Sequence, residues 1–180
     1  MLKKSLSTLI LTLIIFSASS LNAISQEGSI DNKVNFSNPE TWLLGFFEKS
    51  DLLNKPHNSW FENEYDKYVF EDEAFMKLSE SSPDNIEILI VLGTWCPDSR
   101  REVPRFMKIM DAWGFPEESI KFLGVDSYKV APIDGYDELG IERVPTFIIY
   151  EKKSETGRII EYPKASLERD MVDILNKITK

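Results

Sequence analysis

The sequence predicts an α/β fold: a central mixed β-sheet flanked by helices, with a helical extension ahead of it. Three observations carry this expectation. Residues 86–93, "IEILIVLG", form a nearly continuous apolar run rich in β-branched side chains, as a strand covered on both faces requires. Val103, Phe106, Met107 and Met110 then recur at helical spacing until Gly114. Two further strand-like runs follow, "SIKFLGVD" (119–126) and "PTFIIYE" (145–151), and the chain closes on another amphipathic helical pattern.

From the beginning, residues 1–23 have the layout of a secretory signal peptide: Lys3 and Lys4, an apolar run from Leu6 to Phe16, then small residues ending at Ala23. That run is 11 residues long, whereas a membrane span wants about 20. Cleavage after Ala23 would leave no stable membrane insertion, and no cysteine near the cleavage region offers a site for lipid attachment. Residues 24–37 are polar and aperiodic and read as a flexible linker. Residues 38–82 read as an aromatic-rich helical extension. Asn38 and Pro39 suit an N-cap and a first helical position, and Trp42, Leu43, Phe46 and Phe47 follow at helical spacing. A second helical stretch runs from Trp60 towards Leu78. Its aromatics fit packing over one edge of the main domain, or a groove for a partner.

The main domain is expected over 83–180. Ser81-Ser82-Pro83-Asp84 is turn chemistry. After it come strand 86–93, the helix ending at Gly114, strand 119–126, a short helix in "GYDELGIERV" (135–144) and strand 145–151. In "KKSETGRIIEY" a turn at Thr156-Gly157 would separate two extended stretches. Ser166 then caps a helix whose apolar face carries Leu167, Met171, Ile174, Leu175 and Ile178. This order implies a parallel crossover unit followed by a hairpin and a helix.

Composition excludes several function classes. The 180 residues carry 21 basic and 30 acidic side chains, a net charge of −9 that loss of Lys3 and Lys4 would move to −11. No basic patch is present to hold a phosphate backbone, so nucleic acid is not an expected partner. One cysteine and one histidine cannot supply a four-ligand zinc site. No glycine-rich phosphate loop or dinucleotide fingerprint occurs, and scattered Asp84, Asp98, Asp126 and Asp134 read as turn or cap residues. No metal or cofactor is expected. His57, between Pro56 and Asn58, reads as a surface-loop histidine.

The chemistry concentrates at Cys96, the sole cysteine, placed between the buried strand and the helix. A helix N-terminus offers free N–H groups and the positive end of the macrodipole, both of which favour thiolate, the reactive form. Pro97 suits the first turn, where its missing N–H costs nothing. Trp95 would shield the sulfur and meet an incoming polypeptide. Arg100 and Arg101 would favour the thiolate and Asp98 would oppose it. In an exported protein a lone cysteine pairs with another molecule or stays free. A buried, inert cysteine is the competing reading.

The stretch "WCPDS" resembles the Trp-Cys-x-x-Cys motif of the thioredoxin family. Pro104, eight residues after Cys96, matches the proline that kinks that family's active-site helix, and "GIERVPTFIIY" (140–150) is similar to its cis-proline segment. The resemblance covers roughly 84–180 and implies a thioredoxin-like fold. It also implies a cis Val144–Pro145 bond, which lets a substrate strand hydrogen-bond beside the sulfur, with Thr146 adjoining. Two departures stand out. Ser99 replaces the resolving cysteine, and Ile90 occupies the position of the buried acid that assists resolution.

In a dithiol site the second thiol breaks the mixed disulfide formed by the first; Ser99 cannot. The expected function is therefore single-thiol exchange, of monothiol oxidoreductase or isomerase type, by an exported protein of the periplasm or extracellular space. Its partners would be protein thiols and disulfides or a low-molecular-weight thiol. The chain is expected to be monomeric, with a disulfide-linked dimer forming through an exposed Cys96 on oxidation. The alternative is a non-catalytic thioredoxin-fold binding module or chaperone-like adaptor, and a peroxidase ranks third.

Overall fold

A computed structural model describes residues 34–177. The signal peptide expected at 1–23, the linker up to residue 33, and Ile178 lie outside the described residues. Alternation in the apolar runs builds the sheet. In β2 (Ile86–Leu92), Ile86, Ile88 and Ile90 face one side and Leu89 and Val91 the other. β2 is central, parallel to β3 (Ile120–Gly124) and antiparallel to β4 (Thr146–Glu151). β4 continues to the edge strand β5 (Ser154–Ile160).

The first face carries the larger core. There α4 (Pro97–Trp113) buries Val103, Phe106, Met107, Ile109 and Met110 completely, and Phe106 stacks on Phe147 of β4 at 4.3 Å. Each such side chain stabilises the fold by roughly 1.5–3 kcal/mol through burial. α4 ends where anticipated: Gly114 takes φ 74°, a left-handed C-cap. α5 (Leu167–Leu175) begins at Ser166, whose hydroxyl accepts from Arg169 N–H at 3.2 Å, and it buries Leu167, Met171, Ile174 and Leu175. The opposite face is covered by Ala131, Tyr136 and neighbours around a 3₁₀ turn, Tyr136–Leu139, in place of the short α-helix expected there.

The N-terminal segment departs from expectation. Asn38 does cap a helical start, accepting from Glu40 N–H, but only a 3₁₀ turn (Pro39–Thr41) results. The chain then extends, and Gly45–Phe47 forms β1, antiparallel to β3 at the sheet edge, giving the order β1-β3-β2-β4-β5. The spacing of Trp42, Leu43, Phe46 and Phe47 fits a strand as readily as a helix. Pairing with β3 decides, placing Phe47 against Phe122 at 5.6 Å and leaving Phe46 60% exposed. Helices follow: α1 (Lys49–Leu52), α2 (Asn58–Lys67) and α3 (Asp72–Ser79), with α2 on α4 and α3 on α5. Their aromatics pack against the larger core.

Two further corrections follow from packing. The β4–β5 turn lies at Lys152-Lys153, both at positive φ, and not at Thr156-Gly157. Gly157 sits within β5 opposite Ile149, where a Cβ would meet Ile174 of α5 at 3.0 Å, so this glycine admits the helix. His57 is not a surface residue. It is 3% exposed, between Phe36 and Trp60, because the turn before α2 folds its ring inward.

Candidate functional site

The site forms where β2 ends and α4 begins. Cys96 is the N-cap of α4 in extended conformation (φ −78°, ψ 125°), and Pro97 holds the first helical position. The Cys96 amide donates to Gly93 O at 2.8 Å, and Arg100 N–H donates to Cys96 O at 3.1 Å. Cys96 is a buried residue, 7% exposed, where the dimer expectation supposed an exposed one. Across the gap the Val144–Pro145 bond is cis. The Cys96 Sγ donates to the Val144 carbonyl at 3.4 Å, joining the two segments.

Ser99 lies one turn into α4, fully buried, with its Oγ accepting from Gly93 N–H at 3.3 Å. The hydroxyl thus ties the end of the strand to the first turn of the helix. Ile90 is fully buried in the larger core. Thr146, beside the cis bond, donates its hydroxyl to Arg143 O at 2.7 Å. The Pro145 carbonyl accepts from Glu161 N–H, which anchors this turn to the end of β5.

Trp95 is half-buried. Its Nε1–H donates to Val125 O at 3.0 Å, and its indole lies against Gly93, where a Cβ would meet it at 2.5 Å. The three charged residues after Pro97 separate in role. Arg101 pairs with Asp98 at 2.9 Å and Glu102 at 2.6 Å. Arg100 turns back over the loop, and its Nη1 donates to the carbonyls of Thr94 at 3.1 Å and Trp95 at 3.0 Å. Burial pulls the Arg100 guanidinium below its ordinary pKa, and the nearby Cys96 sulfur opposes that shift.

Several residues at the site carried no functional signal in the sequence. Thr94 is fully buried and its Oγ1 accepts from Leu43 N–H at 3.2 Å. Trp42 lies against Trp95 at 6.2 Å and donates its Nε1–H to Phe36 O at 2.8 Å. Phe36 in turn lies under the Arg100 guanidinium at 4.7 Å. The contacts of Leu43, Trp42 and Phe36 with Thr94, Trp95 and Arg100 join segments far apart in the chain, so no local spacing announces them. No cluster of three or more potential metal ligands exists among the described residues. No helix among them is long and apolar enough to cross a membrane.

Among solved structures, the chain is similar to a protein of unknown function from Pseudomonas aeruginosa. Identity is 16%, with 70% of this chain and 86% of that one covered and a TM-score of 0.49. It is similar to thioredoxin O2 from Arabidopsis thaliana in the oxidized state at 14% identity, covering 61% and 90% with a TM-score of 0.36. A thioredoxin from Trypanosoma brucei brucei shares 22% identity over 62% of this chain and 88% of that one, with a TM-score of 0.35. No curated protein matches. A family model described as Thioredoxin matches residues 49–175, from α1 through α5. With that match over more than two thirds of its length, the chain belongs to the thioredoxin family.

Proposed function

We propose that this protein performs thiol–disulfide exchange with Cys96 as a single nucleophile. The observation that supports it is the placement of Cys96 at the N-cap of a 17-residue helix, 3.4 Å from the carbonyl that precedes a cis-proline. A helix N-terminus presents free N–H groups and the positive end of the macrodipole, a setting in which nucleophilic cysteines work. In the reaction the Cys96 thiolate attacks one sulfur of a partner disulfide. A new S–S bond forms, the old one breaks, and the departing thiolate takes up a proton. Ser99 has no sulfur to displace the partner, so an external thiol attacks the mixed disulfide and regenerates Cys96. Protein thiols and disulfides or a low-molecular-weight thiol serve as partners, and neither metal nor cofactor is called for.

In this reading residues 1–23 direct export and are removed, and the protein works in the periplasm or outside the cell. N-terminal sequencing of the mature protein beginning at Ile24 supports this part.

A second reading is a thioredoxin-fold binding module or adaptor without covalent chemistry. The 7% exposure of Cys96 favours it, since a covered thiol meets few partners. Intact-mass analysis after incubation with glutathione disulfide separates the two. Single-thiol exchange gives one glutathionyl adduct on Cys96, reversed by free glutathione and absent from Cys96→Ser. If native protein stays unmodified while urea-unfolded chain is modified, the exchange reading fails.

A further inference from the structure

Arg100 differs from the other arginines among the described residues. Arg101, Arg105, Arg143, Arg158 and Arg169 each lie within 4.0 Å of a carboxylate, and Arg100 does not. Its partners are two backbone carbonyls, Thr94 and Trp95, and one aromatic ring, Phe36. The carbonyls belong to the two residues immediately before the cysteine. They lie beyond the end of β2, where no sheet neighbour takes up their lone pairs. The guanidinium therefore fixes the two peptide groups that lead into Cys96 through charge-assisted hydrogen bonds.

Phe36 is itself held from several sides. Trp42 donates to its carbonyl at 2.8 Å, and the His57 ring meets its ring at 5.9 Å. The chain after Trp42 is fastened to the same loop: Leu43 N–H reaches Thr94 Oγ1 at 3.2 Å. Leu43 also crosses β3 at Gly124, where any Cβ would collide with the Leu43 carbonyl oxygen. The loop is therefore gripped at Thr94 from two directions, by a backbone amide of the N-terminal segment and by Arg100 seated on a ring of that segment.

We infer that residues 36–43 form a strap over the cysteine loop, in which Phe36 and Trp42 are positioning residues that act on Cys96 through Arg100. The strap keeps Arg100 on the Thr94 and Trp95 carbonyls. This sets the conformation of the loop from which Cys96 reacts. A cation over an aromatic face gains more as water is withdrawn from it, and Arg100 and Phe36 are both half-buried. The inference rests on Cys96 acting as the nucleophile.

The test is the rate of Cys96 alkylation by iodoacetamide as a function of pH, in the whole protein and in variants with unchanged near-ultraviolet circular dichroism. Arg100→Gln is expected to slow alkylation at neutral pH about tenfold, as loss of charge-assisted hydrogen bonds does, and to move the rate–pH profile to higher pH. Phe36→Leu keeps the apolar volume but removes the ring face. It is expected to shift the profile the same way by a smaller amount, with Phe36→Tyr restoring it. The double variant is expected to be no slower than Arg100→Gln alone, because the two residues act in series. Profiles of Arg100→Gln and Phe36→Leu that superimpose on the wild type overturn the strap, as does full additivity in the double variant. A wild-type rate no greater than that of the urea-unfolded chain overturns the nucleophile reading on which the strap rests.

Discussion

The Cys96 thiol donates to the Val144 carbonyl across 3.4 Å, joining residues 48 apart in sequence. This bond ties the first residue before α4 to the residue before the cis-proline. Cys96→Ser retains a donor at this position. Its stability should lie within about 1 kcal/mol of the wild type by urea unfolding, while mixed-disulfide formation disappears.

Ser99→Cys should convert the site to a dithiol. Positions one and four of the first helical turn lie within disulfide reach, and Ser99 is fully buried beside the loop. Mild oxidation should remove both free thiols, and thiol quantitation by mass spectrometry reads this. The variant loses the acceptor for Gly93 N–H, so its reduced form should be less stable by about 1 kcal/mol. Two persistently free thiols after oxidation would contradict the expectation.

Gly124→Ala should be among the most damaging small substitutions, because its Cβ would overlap the Leu43 carbonyl oxygen. Backbone cannot rotate aside as a side chain can. The segment carrying Leu43 must lift, at roughly 1–3 kcal/mol or more. Thermal unfolding gives the cost, and faster proteolysis ahead of β1 would show where the chain yields.

Tyr68 links the N-terminal helices to α5. Its hydroxyl donates to the Glu168 carboxylate at 3.0 Å, which also accepts from Glu71 N–H at 3.2 Å, and Glu168 is fully buried. Burial and this carboxylate push the phenol well above its ordinary pKa. Tyr68→Phe removes a donor from a buried carboxylate and should cost about 1–3 kcal/mol in urea unfolding. Tyr68→Phe combined with Glu168→Gln should recover part of that loss.

His57 should make stability depend on pH just below neutrality. Burial lowers its pKa in the folded chain, Asp51 opposes the shift and Arg100 adds to it. The unfolded chain therefore binds the proton more readily, so stability is full above about pH 6.5 and falls as pH drops below it. Glu71, Glu73 and Glu155 also have lowered values, through partners Arg169, Lys77 and Arg158. Their contribution is lost only below the ordinary glutamate range. His57→Gln should flatten the urea midpoint between pH 7 and 5 and leave the more acidic limb in place.

The elements most legible in the sequence are those whose pattern is complete within a few residues. The apolar run of β2, the buried stripe of α4 ending at Gly114, and the Ser166 cap of α5 depend on neighbours one to four positions away. So does the placement of Cys96 between strand and helix. Positions with two valid local readings resolved otherwise. Trp42 to Phe47 could form a helix or a strand, and Gly157 could serve a turn or a close approach.

What the sequence determined by itself was the sheet's central strands, the long helix, and a lone thiol at that helix's N-terminus. Those features follow from local periodicity and capping, which the chain carries wherever it lies. Only the tertiary structure decided that β1 completes the sheet, that His57 is buried, and that Phe36 and Leu43 reach the cysteine loop. β1 needs the free edge of β3 and the missing Cβ of Gly124, His57 needs the Phe36 and Trp60 rings around it, and Leu43 and Phe36 need Thr94 and Arg100 across from them. Apart from Trp60, these partners lie far away along the chain and come together only once the sheet has formed.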